Sequence, residues 1–273
     1  MIVCVDIGGG TTRIGFSHNG ENFSRIERFG TKDDFDEETN QIIQRIKKEM
    51  LPIKKIVFAV AGSVDRKRGT VISWGQKRTW WGKSIFEPFV SEFPNTTLLL
   101  ENDGNLAALG EAVYGAGKMY SLIGLVTMGS GIGGGLVHDR TIVPHVFGIE
   151  PAHQIVNREE TRMWSCGQKG CFESYASGTA FQKMFGMSAE ACVDKRIWEQ
   201  YAKFLSTGLA NLIALWSPEV MILGGGVSNK FDSFIGPLRT ELARLLPMYQ
   251  LPVITKAELP ESGLYGGLIY EGV

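Results

Sequence analysis

Within five residues, Glu101-Asn102-Asp103-Gly104-Asn105, the chain sets two carboxylates and two carboxamides directly after an apolar run at residues 98–100. A carboxylate such as Asp103 can accept a proton from a hydroxyl, and Asn102 and Asn105 can each donate to and accept from hydroxyl groups. That is equipment for holding a polyol and activating one of its OH groups. The run reads as a buried strand, and the apolar spacing over 106–113 reads as a helix. Polar residues at the carboxyl end of a buried strand are where open α/β sheets place their chemistry. An N-cap explains one Asn or Asp at such a junction, but not all four polar residues.

Three glycine clusters follow apolar strands elsewhere. A strand at 2–7 carries Asp6 and opens into Gly8-Gly9-Gly10-Thr11-Thr12 before a strand at 13–18, a turn at Asn19-Gly20 and a third strand near 23–29. A strand at 121–127 leads through Met128-Gly129-Ser130-Gly131 into another that ends near His138, with a turn at Asp139-Arg140. A Gly-rich turn between strands lets backbone N–H groups approach an anion, and Thr or Ser hydroxyls add donors. The same device used twice, about 120 residues apart, predicts an internal duplication with two phosphate-facing hairpins. Neither turn continues into the Gly-Lys-Ser/Thr of a Walker loop. The third cluster, Gly224–Gly226, follows a strand at 220–223 and precedes a helix at 231–246, leaving room for a flat ring or a ribose against backbone.

Other elements must position these turns. A helix is expected over 34–51 with Ile42, Ile43, Ile46 and Met50 on one face, and a buried strand over 56–61 runs into Gly62-Ser63-Val64-Asp65. The basic run at 66–68 reads as a solvated turn. Trp74, Trp80 and Trp81 precede a helix at 85–93, where aromatic rings either pack or stack on a sugar face. Residues 114–118 read as a hinge, 197–216 as a long helix and 261–270 as a last one. His153, Cys166 and Cys171 are zinc-compatible donors, three where a structural site takes four; a loop of free thiols is the other reading.

The 273 residues are 44% hydrophobic and 21% charged with a net charge of −1, which suits a globular core and gives no general pull toward nucleic acid or anionic membrane. No apolar run reaches membrane-spanning length, the N-terminus lacks a signal-peptide pattern, and four cysteines are not a disulfide framework. A cytoplasmic location is expected.

Taken together, the ordered motifs resemble the ROK family (repressors, open-reading-frame proteins and sugar kinases) of the actin/hexokinase-like ATPase superfamily. The resemblance rests on Asp6-Ile-Gly-Gly-Gly-Thr-Thr-Arg13, Gly62-Ser-Val-Asp65, Leu100-Glu-Asn-Asp-Gly-Asn-Leu-Ala-Ala108 with Gly110-Glu111, and Gly129-Ser-Gly-Ile-Gly-Gly-Gly135. It continues through Glu150-Pro-Ala-His153, Cys166-Gly-Gln-Lys-Gly-Cys-Phe-Glu173 with Ser177-Gly178, and Leu223-Gly-Gly-Gly-Val227. It implies a two-lobed α/β actin-like ATPase (ribonuclease H-like) fold with a central cleft. The lobes are expected at 1–111, joined by the C-terminal helix at 261–273, and at 112–260.

By the same resemblance Asp103 is the general base that activates a hexose 6-hydroxyl toward the γ-phosphate of ATP. Asn102, Glu150, His153 and Glu173 hold other sugar hydroxyls, with Gly62 beside them. Gly9, Gly10, Thr11 and Thr12, with Thr127, Gly129, Ser130 and Gly131, cradle the phosphates. Gly225 and Gly226 flank adenosine, and Asp6 orders Mg²⁺ through water. Phosphoryl transfer needs chiefly positioning, charge neutralisation and a base within reach, and closure of the cleft excludes competing water.

The chain departs from the family pattern at three places. The zinc loop, Cys-x-Cys-Gly-x-x-Gly-Cys, has Trp164 at its first cysteine, leaving His153, Cys166 and Cys171 as zinc donors. The sugar motif Gly-Glu-x-Gly-His reads Ile149-Glu-Pro-Ala-His153, and Met128 stands before Gly129-Ser-Gly131. The family's repressors carry a DNA-binding domain ahead of the first glycine turn, which here begins at Gly8, so no nucleic-acid partner is expected. A non-catalytic sugar sensor and a polyphosphate-dependent kinase stay open beside an ATP-dependent hexose kinase. Glucose leads N-acetylmannosamine, N-acetylglucosamine, fructose and allose as substrate. A homodimer and no membrane partner are expected.

Overall fold

The computed structural model describes residues 1–272; Val273, which closes the expected C-terminal segment, lies outside them. In chain order the elements are β1 (Ile2–Ile7), β2 (Thr11–Ser17), β3 (Arg25–Gly30), α1 (Phe35–Ile46), β4 (Lys55–Val60), β5 (Ser63–Asp65), β6 (Thr70–Ser73), α2 (Glu87–Glu92), β7 (Thr97–Asn102) and α3 (Asp103–Tyr114). The second half continues with β8 (Leu122–Met128), β9 (Ile132–His138), β10 (Thr141–Ile142), α4 (Glu173–Ala176), α5 (Gly178–Phe185), α6 (Lys195–Trp216), β11 (Val220–Gly224), α7 (Phe231–Leu245), β12 (Val253–Lys256) and α8 (Ser262–Ile269).

Two five-stranded sheets repeat one plan, β3-β2-β1-β4-β7 and β10-β9-β8-β11-β12. In each, an antiparallel hairpin supplies the first strands (β1 with β2, β8 with β9) and parallel strands extend the other side (β4 and β7, β11 and β12). The duplication expected from the two glycine hairpins is therefore present in the topology.

Both faces of the central strands are buried, so they read as near-continuous apolar runs. Period-two alternation sends Ile56, Phe58 and Val60 of β4 into a core under α1 and α2, and Val57 and Ala59 into a second core. That second core lies between the sheets: Val220 and Ile222 of β11 and Ile123 and Leu125 of β8 meet Leu106, Ala108, Leu264 and Leu268 of α3 and α8 there. A third core packs α6 and α7 against Met221 and Leu223. Helix α3, apolar around most of its circumference, is thus a buried helix between the sheets, and it carries Glu101-Asn102-Asp103 at its entrance.

Several boundaries differ from expectation. Helix α1 ends at Ile46, and Met50 is 99% exposed instead of joining the Ile42–Ile46 face. The residue before Pro52 is biased away from helix, and the chain uses 47–51 to turn. The helix expected at 85–93 is only Glu87–Glu92, and β12 pairs with β11 where no strand was expected. Helix α3 begins at Asp103, with Asn102 as its N-cap, not at 106. Arg66 is not a solvated turn residue: its guanidinium reaches the fully buried Glu101 at 3.4 Å and also donates to His145 O.

The expected hinge is pinned by one carboxylate. Glu111 is fully buried, and its oxygens accept from Ala116 N at 2.9 Å, Leu259 N at 2.8 Å and Glu258 N at 3.2 Å. It therefore ties the outgoing connector at 115–117 to the returning chain at 257–259. Glu111→Ala leaves those N–H groups without their partner, at a cost of about 1–3 kcal/mol for each that stays buried. The expected result is a fall in the thermal midpoint of roughly 10 °C by calorimetry, at about 2–4 °C per kcal/mol.

Candidate active site

The carboxyl ends of β1, β7 and β8, and the turns that follow β1, β8 and β11, face a cavity of about 530 Å³. It is lined by Asp6, Gly9, Gly10, Thr11, Gly62, Asp103, Thr127, Gly129, Ser130, Gly131, Glu150, His153, Cys166, Glu173, Gly225 and Gly226. Most residues singled out by spacing, from segments over 200 positions apart, thus share one wall. Of the residues expected to touch sugar, nucleotide or metal, Thr12, Cys171 and Asn102 do not line it, nor do Glu101 and Asn105 of the strand-end cluster. Thr12 is fully buried on β2, its hydroxyl donating to Glu38 Oε1 at 2.6 Å, because strand alternation turns it away from Thr11. Cys171 is fully buried. Asn102 sits just behind the cavity wall.

Asn102 serves the helix and the site together. Its Oδ1 accepts from Asn105 N at 3.1 Å, capping α3, while its Nδ2 donates to Gly62 O at 2.9 Å and Glu150 Oε1 at 3.3 Å. Asn105 is spent on structure, its amide meeting Glu101 Oε1 at 3.1 Å and His145 Nε2 at 2.9 Å. Burial alone would raise the Glu101 carboxyl, but hydrogen bonds from His145, Asn102 N–H and Asn105 outweigh it and leave it below its ordinary value. The fully buried Glu101, which also accepts from Tyr270 OH at 3.1 Å, is a charged post under the capping turn.

The cavity itself holds carboxyls with raised affinity for protons. Burial pushes Asp6 to about 7, with the Arg13 charge opposing and Asp103 and Glu261 adding repulsion. Burial also raises Asp103, against its hydrogen bond from Gly104 N at 2.8 Å and the Arg13 charge. Glu150 rises to about 8 through burial, then the charges of Asp103 and Glu173. Such a site gains from an added cation.

Arg13, which spacing alone did not single out, is the positive charge already there. It lies 3.2 Å from Asp6 Oδ2 and 2.9 Å from Glu261 Oε2, and Glu261 also takes Arg28. Its mark in the sequence was its place at the end of the Asp6–Arg13 motif, whose hairpin sets Arg13 opposite Asp6 in the β1–β2 register. Trp74 and Gln76 also line the cavity. Trp80, by contrast, is core against Phe35, and Trp81 is half-exposed with its indole donating to Trp74 O at 3.0 Å.

Among the described residues no three or more His, Cys, Asp or Glu side chains are grouped to hold a metal ion. That is compatible with Mg²⁺, which keeps several waters and is held by one or two carboxylates plus substrate phosphates; Asp6 is a cavity-lining carboxylate that could serve so. It does not fit structural zinc. Cys166 and Cys171 are free, and their Sγ atoms lie 3.7 Å apart, a spacing that two thiolates on one zinc would share, but the expected donors number three and Trp164 stands where the fourth would be.

The family model described as ROK matches residues 2–269. The chain belongs to the ROK family. Its ROK relatives include the glucokinase of Thermotoga maritima, 26% identical over 97% of this chain and 95% of that protein. The N-acetyl-D-glucosamine kinase of Pectobacterium carotovorum is 32% identical over 60% of this chain and 62% of its own. The crystal structure of a ROK family glucokinase from Streptomyces griseus, in complex with glucose and AMPPNP, superposes with a TM-score of 0.84 at 25% identity over 98% of this chain and 97% of that one. The fold is the two-lobed actin-like ATPase fold of ROK proteins, as expected. No described helix is long and apolar enough to cross a membrane.

Proposed function

We propose that this ROK protein is an ATP-dependent hexose kinase that transfers the γ-phosphoryl group to a sugar 6-hydroxyl, glucose being the first candidate. The observation that carries the reading is a single cavity lined together by Asp103, Glu150, His153 and Glu173 and by two glycine turns. Asp103 takes the hydroxyl proton; Asn102 acts behind it by holding Glu150 and capping α3. Gly9, Gly10, Thr11 and Thr127–Gly131 offer backbone N–H groups and hydroxyls to phosphates. Gly226 has open space where a Cβ would be, which suits adenosine and favours ATP over polyphosphate. Mg²⁺, when bound with the nucleotide, would neutralise the transferring phosphates beside Asp6. The reading includes lobes at 1–111 with the C-terminal helix and at 112–260, closing about the segments that Glu111 pins, and a homodimer checked by sedimentation.

ADP release from Mg·ATP across glucose, N-acetylglucosamine, N-acetylmannosamine, fructose and allose tests the function, with Asp103→Asn as control. Turnover on one sugar that the control lacks is expected; silence on all of them refutes a hexose kinase of this specificity range. The pH profile adds a second check. Asp103 is a base only when ionised, and burial raises its pKa. Activity therefore falls on the acid side, with kcat/KM showing a limb displaced above the ordinary carboxylate value of about 4.

A further inference from the structure

Glu173 opens α4 and is fastened at both oxygens. Oε1 accepts from the indole Nε1 of Trp164 at 2.7 Å, and Oε2 accepts from Ile132 N at 3.1 Å. A Cβ on Gly131 would come 2.6 Å from Glu173 Oε2, so a glycine there lets the carboxylate lie against the second phosphate turn. A few residues on, Gly178 N donates to Gly129 O at 2.7 Å. The segment from 164 to 178 thus braces that turn at both ends while Glu173 lines the cavity.

Trp164 is itself held. Lys183 Nζ stands 4.4 Å from its ring centre, a cation–π contact, and Trp164 N donates to Gln168 O at 2.9 Å. An indole donates a hydrogen bond and offers a metal no ligand. Cys166 turns to Gln168, its Sγ 3.6 Å from Oε1. At position 164 the loop therefore has a hydrogen-bond donor where the family pattern has a metal ligand.

We propose that Trp164 is a positioning residue for sugar binding, ordering Glu173 through its indole N–H, in a loop that holds no structural zinc. The proposal rests on the sugar-kinase reading for its substrate and on the donor set for its metal-free character. With the indole N–H gone, the Ile132 N–H is the one hydrogen bond left to the Glu173 carboxylate among the described residues, and the carboxylate is free to swing from its place in the cavity lining. A group that grips the sugar alike in ground and transition states acts on KM more than on kcat.

The test compares wild type, Trp164→Phe and Lys183→Met, purified without a metal-affinity tag. Trp164→Phe keeps a ring and removes the donor; Lys183→Met disturbs the ring's packing and keeps the donor. A hydrogen bond to a charged group corresponds to about a tenfold to hundredfold change. The sugar KM of Trp164→Phe is expected to rise by that factor, with the loss in KM more than in kcat, while Lys183→Met keeps the wild-type KM. Wild type incubated with zinc and dialysed is expected to retain far less than one ion per chain by elemental analysis. One firmly retained zinc per chain, an unchanged KM in Trp164→Phe, or an equal rise in Lys183→Met overturns the proposal. Inactivity of wild type on every sugar defeats the kinase reading instead, and the metal count still judges the loop.

Discussion

Asp103→Asn is expected to lower kcat by about a thousandfold while sugar affinity stays within a few-fold of wild type. The asparagine is nearly the same shape, and its Oδ1 can still accept from Gly104 N, which now binds the Asp103 carboxylate at 2.8 Å. What vanishes is the proton acceptor, and general bases contribute roughly 10²–10⁴ in rate. The thermal midpoint changes little, because Asn102 and not Asp103 caps α3. One charge is also removed from beside Glu150, which now sits at about 8 through burial and then through the Asp103 and Glu173 charges. Glu150 should therefore ionise more easily in the variant. Single-turnover measurement with saturating Mg·ATP separates the chemical step from product release. Near-wild-type turnover would show that the proton goes elsewhere and would remove Asp103 from the centre of the mechanism.

The legible parts of this site were those that leave a local mark. A turn that must bring backbone close to a ligand needs glycine, so the clusters at 8–10, 129–131 and 224–226 stand out, each behind an apolar strand. Gly225 has a φ of +80°, and a Cβ there would lie 2.5 Å from Met128 backbone, which gives the third cluster a packing reason beside any ligand. Asp103 stood out only as one of four polar residues at a strand end, and the structure uses the other three in the fold: Glu101 under the turn, Asn102 as the cap and Asn105 on Glu101 and His145. Thr12 was misplaced because β2 begins at Thr11, two residues before the expected start, so Thr12 falls within the strand and alternation turns its side chain into the core. Arg13, Glu261 and the Trp164–Glu173 pair act through contacts whose partners are set by tertiary packing, and composition carries no trace of that. Arg66 looked like a surface charge because its partner, Glu101, is 35 residues away and fully buried.

Gly266→Ala should be among the most destabilising single substitutions outside the cavity. Helices α3 and α8 cross so closely that a Cβ on Gly266 would stand 1.9 Å from Leu106 O, and one on Gly110 would stand 2.1 Å from Ser262 O. Both obstacles are backbone, so no side chain can rotate out of the way. The helices must separate, and they are clamped elsewhere: Lys55 Nζ binds Tyr270 O at 2.8 Å beyond the end of α8, and Leu264 and Leu268 sit in the core between the sheets. Overpacking of a tight core costs about 1–3 kcal/mol and more where backbone must move, so a loss of roughly 4 kcal/mol is expected. At about 2–4 °C per kcal/mol the thermal midpoint should drop by roughly 10 °C or more. Activity should suffer beyond the folded fraction, because α3 begins at Asp103 and any shift of the helix moves the base. Assay well below the lowered midpoint separates the two effects. Full specific activity there would mean that α8 supports the fold without setting the position of Asp103, and a wild-type midpoint would mean that the crossing can open without strain.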